Sequence, residues 1–212
     1  MLRSASPPPL TPDQIQFDIF FLVDLSEDSP DFFFQQEEPW IEQVLAPYTI
    51  DTTHVHAGLV NLPGSLLPRP RTYIQTYLSQ VATKADYFRQ LMDIGQPLEQ
   101  GGLYQPGSPE YILDALTKVN TVGITKPNGY RTDNGFNNHV LIIITGTNTI
   151  DNIEQVVAAA TTTRQYFGVI TRISNGAACT FVANNQADLD QAKTGIQNLI
   201  YQAYLTTNGV YC

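Results

Sequence analysis

The sequence predicts an α/β fold with a doubly wound, mostly parallel central sheet and helices on both of its faces. Two segments, 17–24 (FDIFFLVD) and 140–144 (VLIII), are almost continuously apolar, which is typical of strands covered on both sides. Segments with apolar residues at helical spacing lie between the predicted strands. Parallel sheets require such helical connections. The two apolar segments are therefore predicted to be the central strands. Their predicted core residues are Phe20, Leu22, Leu141 and Ile143.

The remaining predicted elements are five helices, four weaker strands and one loop. In order, they are a helix over 30–45 disturbed by Pro39, a strand over 54–60, a short edge strand over 73–78, a helix opened by a capping box at Thr83, a helix starting at Ser108-Pro109-Glu110, a polar loop over 125–138, a helix from about Ile150 to Ala160, a strand over 168–173, a short strand over 180–182, and a last helix over 189–203. This order predicts a Rossmann-like sheet.

Length and composition indicate one globular domain with a tail. The chain has 212 residues, 42% of them apolar. This suffices for a hydrophobic core that needs no disulfide or metal ion to be stable. Residues 1–15 are rich in Pro and are predicted to be an extended tail, with the domain over 16–212. The net charge of −9 argues against binding to nucleic acid or to anionic membranes, and no apolar run is long enough to insert into a bilayer.

Ligands of open α/β sheets bind beyond the carboxyl ends of the strands. Directly after the first apolar strand the chain reads Asp24-Leu25-Ser26-Glu27-Asp28. This resembles the DxSxS motif of the von Willebrand factor A-type (VWA) family, with Asp28 in place of the second Ser. The resemblance extends from about Phe17 to Leu205 and implies a metal-ion-dependent adhesion site.

The other two metal loops of the family are matched less well. Gly101-Gly102 through Ser108-Pro109 resembles the second loop, lengthened by four residues and without its usual Thr, so that Gly107 or Ser108 takes that place. The third loop reads Ile144-Thr145-Gly146-Thr147, with Gly146 in place of the family's Asp. The resemblance therefore implies a degenerate site. Its predicted members are Asp24, Ser26, Asp28 and Ser108.

The oxygen donors of this site suit Mg²⁺, but the set is incomplete, so we expect no tightly bound ion and no cofactor. The alternative for Asp24 and Ser26 is a turn that caps the following helix. The spacing His54-x-His56 places two rings on one side of a strand, yet two histidines form an incomplete metal site, and packing or surface hydrogen bonding is the favoured interpretation. His139 is interpreted as structural.

The two cysteines, Cys179 and Cys212, are compatible with one disulfide or with two reduced thiols. Cys179 lies at the start of a short predicted strand, and Cys212 lies beyond the last predicted helix. The predicted topology brings both to the same edge of the sheet, opposite the edge that carries the predicted metal site. This favours a Cys179–Cys212 disulfide.

Two functional hypotheses follow from the resemblance. The first is a non-enzymatic, secreted adhesion or matrix module that binds a protein partner. The second is a self-assembling structural subunit, in which the Pro-rich tail reaches a neighbouring copy and adds to a sheet edge. An enzyme of isochorismatase-like or phosphatase-like type is disfavoured, because Asp24 has no predicted Lys or Cys partner at the carboxyl edge.

Overall fold

The structure is a computed structural model that describes residues 11–24, 33–62, 72–99, 112–133, 136, 138–145, 152–167, 169–173, 180–181, 183 and 185–205. Its strands are β1 (Phe17–Asp24), β2 (Val55–Leu62), β3 (Ile74–Thr76), β4 (His139–Ile144), β5 (Val169–Ile173) and β6 (Thr180–Phe181). Its helices are α1 (Glu38–Leu45), α2 (Lys84–Glu99), α3 (Ile112–Lys118), α4 (Ile153–Thr163) and α5 (Gln186–Leu205).

The six strands form one sheet in the order β3-β2-β1-β4-β5-β6. All neighbouring pairs are parallel except β2 and β3, which are antiparallel. The strands β1 and β4 lie side by side at the centre, and every residue of both is buried. The predicted fold class and the predicted central pair are confirmed.

Helices cover both faces of the sheet and divide the core into two layers. On one face, β1 and β2 pack with residues of α1, α2 and α5, including Trp40, Tyr87 and Ile196. On the other face, the sheet packs with α3 and α4 through Leu116 and Val156. The second layer contains all four residues predicted for the core, namely Phe20, Leu22, Leu141 and Ile143. None of the described helices, including the 20-residue α5, is apolar enough to cross a membrane.

Several predicted elements differ from the structure at their ends, and three of these differences have a local cause. The strand predicted from His54 begins at Val55, because the His54 N–H donates to Asp51 Oδ1 at 2.7 Å in the preceding turn. Within the predicted extended tail, Pro12–Gln14 form a 3-10 turn, which the Gln14 side chain closes by accepting from the Thr11 N–H at 3.0 Å. The helix predicted over 30–45 is a π-type turn at Phe33–Glu37 followed by α1, with Pro39 in the first turn of α1.

Candidate binding rim at the carboxyl edge of the sheet

The carboxyl ends of β1 and β4 bring two polar residues together. Asp24 is the last residue of β1, and Thr145 follows the end of β4. Because Val23 lies opposite Ile144 in the parallel pair, the next residue of each strand reaches the same edge. Thr145 Oγ1 donates a hydrogen bond to Asp24 Oδ2 at 3.2 Å, and both side chains are buried. Sequence reasoning predicted Asp24 but not the role of Thr145, although its position at a buried strand end was a usable signal.

The same edge continues across β2 and β3 with further polar groups. Asn61 is buried at the end of β2, and its Oδ1 accepts a hydrogen bond from the Tyr73 N–H. Asp114, in the first turn of α3, accepts from the Thr72 N–H at 3.3 Å. These contacts fix the chain that enters β3. We use the name carboxyl rim for Asp24, Asn61, Thr72, Asp114 and Thr145.

The carboxyl rim offers oxygen donors but only part of a metal shell. Asp24 and Thr145 provide hard oxygens, the type that Mg²⁺ prefers, whereas a resident Mg²⁺ needs near-octahedral coordination. Within the described ranges, no three His, Cys, Asp or Glu residues are close enough to hold a metal ion. The other predicted members of the site, Ser26, Asp28 and Ser108, lie outside the described residues. The described donors therefore do not by themselves fit a tightly held ion.

A second polar cluster occupies the opposite, amino edge of the sheet. Asp18, the second residue of β1, is fully buried, and its Oδ1 accepts from Arg131 Nε at 2.7 Å while its Oδ2 accepts from the Arg131 N–H at 2.9 Å. The Arg131 guanidinium lies 4.2 Å from the centre of the Phe136 ring. It also donates to three backbone carbonyls, those of Thr53 (2.8 Å), Phe17 (2.7 Å) and His54 (2.9 Å).

Two histidines complete this cluster around Asp18. His56 Nδ1 lies 3.6 Å from Asp18 Oδ1, and His139 Nδ1 lies 3.3 Å from Asp18 Oδ2. The ring of His139 stacks on Tyr130 at 4.1 Å between ring centres. Burial, and then the negative charge of Asp18, raises the pKa of Tyr130 far above its ordinary value. We use the name amino-edge network for Asp18, His56, Arg131 and His139.

The amino-edge network is a structural feature with its polar atoms largely engaged. The two ring nitrogens of His56 face the carbonyl oxygens of Gly129 (3.0 Å) and Thr52 (3.2 Å), so they are not directed at a ligand. The interpretation of His54 and His56 as packing and hydrogen-bonding residues is confirmed, since His54 Nδ1 is paired with Asp51 Oδ2 at 2.8 Å. His139, which the sequence analysis interprets as structural, is buried.

Asp51 holds the turn that leads into β2. Burial acts to raise its pKa, but hydrogen bonds from the N–H and the imidazole of His54 and from the N–H of Thr53 outweigh burial and lower the pKa to about 2. Asp51 therefore caps the turn as a carboxylate, at the amino edge and away from the carboxyl rim.

Comparison with known proteins gives the same fold and a family. The family model of the von Willebrand factor type A domain matches residues 18–194. The chain is 27% identical to protein irg-7 of Caenorhabditis elegans in an alignment of 211 residues, which spans 93% of this chain and 9% of that protein. The chain thus spans less than a tenth of that relative's length.

Solved structures with the same fold include proximal thread matrix protein 1 from the mussel byssus, with a TM-score of 0.66 and 15% identity, covering 90% of this chain and 49% of that one. In a second structure of that protein, zinc occupies the metal-ion-dependent adhesion site (MIDAS) motif. That structure has a TM-score of 0.65. Manganese-loaded TRAP protein of Plasmodium vivax has a TM-score of 0.54 and 14% identity, covering 90% of this chain and 75% of that one. Together with the family match over 18–194, the order of strands and the polar carboxyl rim lead to one conclusion: the chain belongs to the von Willebrand factor type A domain family.

Proposed function

We propose that this chain is a non-enzymatic protein-binding module of an extracellular adhesion or matrix protein. The observation that carries the proposal is the carboxyl rim, where Asp24 and Thr145 meet at the edge at which open α/β sheets bind ligands. One protein of similar fold, proximal thread matrix protein 1 from the mussel byssus, supports the matrix setting by its name. The partner in this proposal is a protein.

The placement of the histidines supports a role without catalysis. The chain has three histidines, and all three lie at the amino edge: His54 precedes β2, His56 is its second residue, and His139 is the first residue of β4. Hydrolytic chemistry at the carboxyl rim would need a base within hydrogen-bonding reach of the reacting group. The described rim offers no imidazole, the base most often used, and its two carboxylates, Asp24 and Asp114, already accept hydrogen bonds from Thr145 and from the Thr72 N–H.

We further propose that the carboxyl rim binds its partner without a tightly held metal ion. The site that the family resemblance implies would draw on Asp24, Ser26, Asp28 and Ser108, and an ion there would supply an electrophile for a carboxylate of the partner. Gly146 offers no side chain where the family has Asp. Asp24 Oδ2 already accepts a hydrogen bond from Thr145, which leaves fewer oxygen lone pairs for an ion.

Calorimetric titration with Mg²⁺, Mn²⁺ and Ca²⁺ tests the metal proposal. We expect no heat beyond dilution. Micromolar binding that is lost in Asp24→Asn, but kept in the matched exposed variant Asp190→Asn, would overturn it and indicate a working metal site. Thermal unfolding of both variants checks that each one is folded.

Binding to immobilised extracellular matrix proteins, with and without EDTA, tests the binding function itself. We expect binding that EDTA does not remove and that Asp114→Arg weakens at the carboxyl rim, whereas Asp190→Arg on α5 leaves it unchanged. Equal weakening by both variants would show charge-driven adsorption, and the rim would not be the binding surface.

The second candidate function is a self-assembling structural subunit. The observation that favours it is the exposure of large apolar residues on one helix, where Ile153 is 61% and Val157 is 59% exposed. Light scattering at rising protein concentration tests it, and a chain that stays monomeric throughout would argue against self-assembly.

A further inference from the structure

The carboxyl rim carries negatively charged groups and no positively charged group among its described residues. It contains two aspartates, Asp24 and Asp114, and no Lys or Arg. No ion pair between described residues involves Asp114. In a chain with a net charge of −9, a partner carboxylate that approaches this rim meets like charge, whereas a cation is attracted. Charge complementarity therefore favours a basic group of the partner.

Asp114 is the rim carboxylate that solvent reaches. It is partly exposed, whereas Asp24 is 0% exposed. Its Oδ2 accepts the hydrogen bond from the Thr72 N–H at 3.3 Å. Among the residues that the structure describes, no group donates to its Oδ1. One carboxylate oxygen of Asp114 can therefore accept a hydrogen bond from a partner.

A buried hydroxyl lies beside Asp114. Thr72 is 3% exposed, and within the described part of the chain its Oγ1 has no hydrogen-bond partner. Because the N–H of the same residue reaches Asp114 Oδ2, this hydroxyl adjoins the carboxylate. A buried hydroxyl without a hydrogen bond costs free energy, and such groups are uncommon in native proteins. A donor that enters from a partner would satisfy it.

The two oxygens suit an ammonium group better than a guanidinium group. An ammonium is compact and has three N–H donors and no acceptor, so it can donate to Asp114 Oδ1 and Thr72 Oγ1 together. A guanidinium binds a carboxylate best through two parallel hydrogen bonds, one to each oxygen. Here the Thr72 N–H already occupies Oδ2 of Asp114. The complementary side chain is therefore lysine.

We infer that the carboxyl rim recognises a lysine side chain of its protein partner, whose ammonium group donates to Asp114 and Thr72. The inference rests on the proposed function of the rim as a protein-binding surface, and it names the chemistry of the partner. It reverses the polarity that the family resemblance implies, in which an ion at the site meets a carboxylate of the partner.

Chemical modification of the partner distinguishes the two polarities. Immobilised extracellular matrix proteins are offered to the chain in the presence of EDTA, either untreated, with their lysine amines acetylated, or with their carboxylates amidated. We expect acetylation to weaken binding about tenfold or more, because hydrogen bonds between charged groups are lost. Amidation leaves binding unchanged or strengthens it, because it removes negative charge from the partner.

Variants of the chain test whether Asp114 and Thr72 receive the lysine. Asp114→Asn is expected to weaken binding to untreated proteins about tenfold, and acetylation then adds little further loss, because both changes remove the same contact. Thr72→Val weakens binding about threefold to tenfold, whereas Thr72→Ser keeps the hydroxyl and binds like the original chain. Asp190→Asn on α5 is the matched control and leaves binding unchanged. Unfolding temperatures check that every variant is folded.

The possible outcomes separate this inference from the proposed function. Binding that is lost after amidation and kept after acetylation overturns the inference, and the rim remains a surface for a partner carboxylate. Equal weakening by Asp114→Asn and Asp190→Asn indicates adsorption by overall charge and also overturns it. An acetylation effect of full size in Asp114→Asn places the lysine contact elsewhere on the chain. Absence of binding to every untreated protein overturns the proposed function and this inference with it.

Discussion

Replacing Arg131 by Met is expected to destabilise the domain strongly. Asp18 is 0% exposed, and Arg131 supplies both a guanidinium and a backbone N–H to its carboxylate. The substitution leaves the carboxylate buried without its main cationic partner. It also withdraws the donors from the carbonyl oxygens of Phe17, Thr53 and His54.

The magnitude follows from the burial of the pair. Breaking a buried ion pair by removing one partner costs about 3–5 kcal/mol, because the remaining charge is uncompensated. The side chain of Arg131 is 20% exposed, so water reaches part of the site and the lower half of that range applies. In a domain of this size, about 3–4 kcal/mol corresponds to a fall in Tm of roughly 6–16 °C.

Urea unfolding followed by circular dichroism measures this cost. The matched control is Lys126→Met, which removes an ion pair of 2.6 Å with Asp133 in the same part of the chain, where the two side chains are 64% and 76% exposed. That variant is expected to cost about 0–1 kcal/mol.

Adding Asp18→Asn to Arg131→Met removes the stranded charge and recovers part of the stability. A cost for Arg131→Met as small as that of the control, or no recovery in the double variant, would refute the reasoning.

Three further predictions concern packing, acid stability and the cysteines. Gly58→Ala is expected to cost about 1–3 kcal/mol in denaturant titration, because a Cβ there overlaps the ring of Phe20, and Phe20→Leu in the same background relieves part of that cost. Burial acts to raise the pKa of Asp51, but its hydrogen bonds hold that pKa at about 2. Its contribution to stability is therefore complete above the unfolded pKa of about 3.9 and is lost as the pH falls towards 2. The difference in unfolding free energy between the original chain and Asp51→Asn is expected to shrink over that pH interval. Cys179 and Cys212 are predicted to form a disulfide worth about 3–4 kcal/mol, and free thiols in unreduced, natively sourced protein would contradict it by mass spectrometry.

The sequence predicted the central strands well because their composition carries the information. Segments such as 17–24 and 140–144 are apolar enough that burial on both faces follows from the residues alone. Asp24 was predictable as a rim residue because it ends the first of these strands. The antiparallel direction of β3 was not predicted, because a three-residue strand has no pattern that fixes its direction.

The amino-edge network shows where sequence reasoning stops. Asp18 within an apolar strand signals a buried charge that needs a partner. The residues around Asp18 in the sequence do not identify Arg131 as its partner. Arg131 lies 113 residues away, in the polar loop predicted over 125–138. Tertiary contacts alone select it from the 11 Lys and Arg residues of the chain.

The two aspartates of β1 also limit how this strand can pair with its neighbours. All eight residues of β1 are buried, so an apolar pattern cannot distinguish its two faces and barely opposes a slip along β2 or β4. A slip by two residues would keep every side chain on its face, yet it would move Asp18 about 6.6 Å from Arg131 and Asp24 equally far from Thr145. Two buried charges would then lie among apolar groups without these partners. Carboxylates at the two ends of the central strand thus specify its register. Replacing both with Val is expected to give a more apolar strand that pairs in several registers and aggregates more readily.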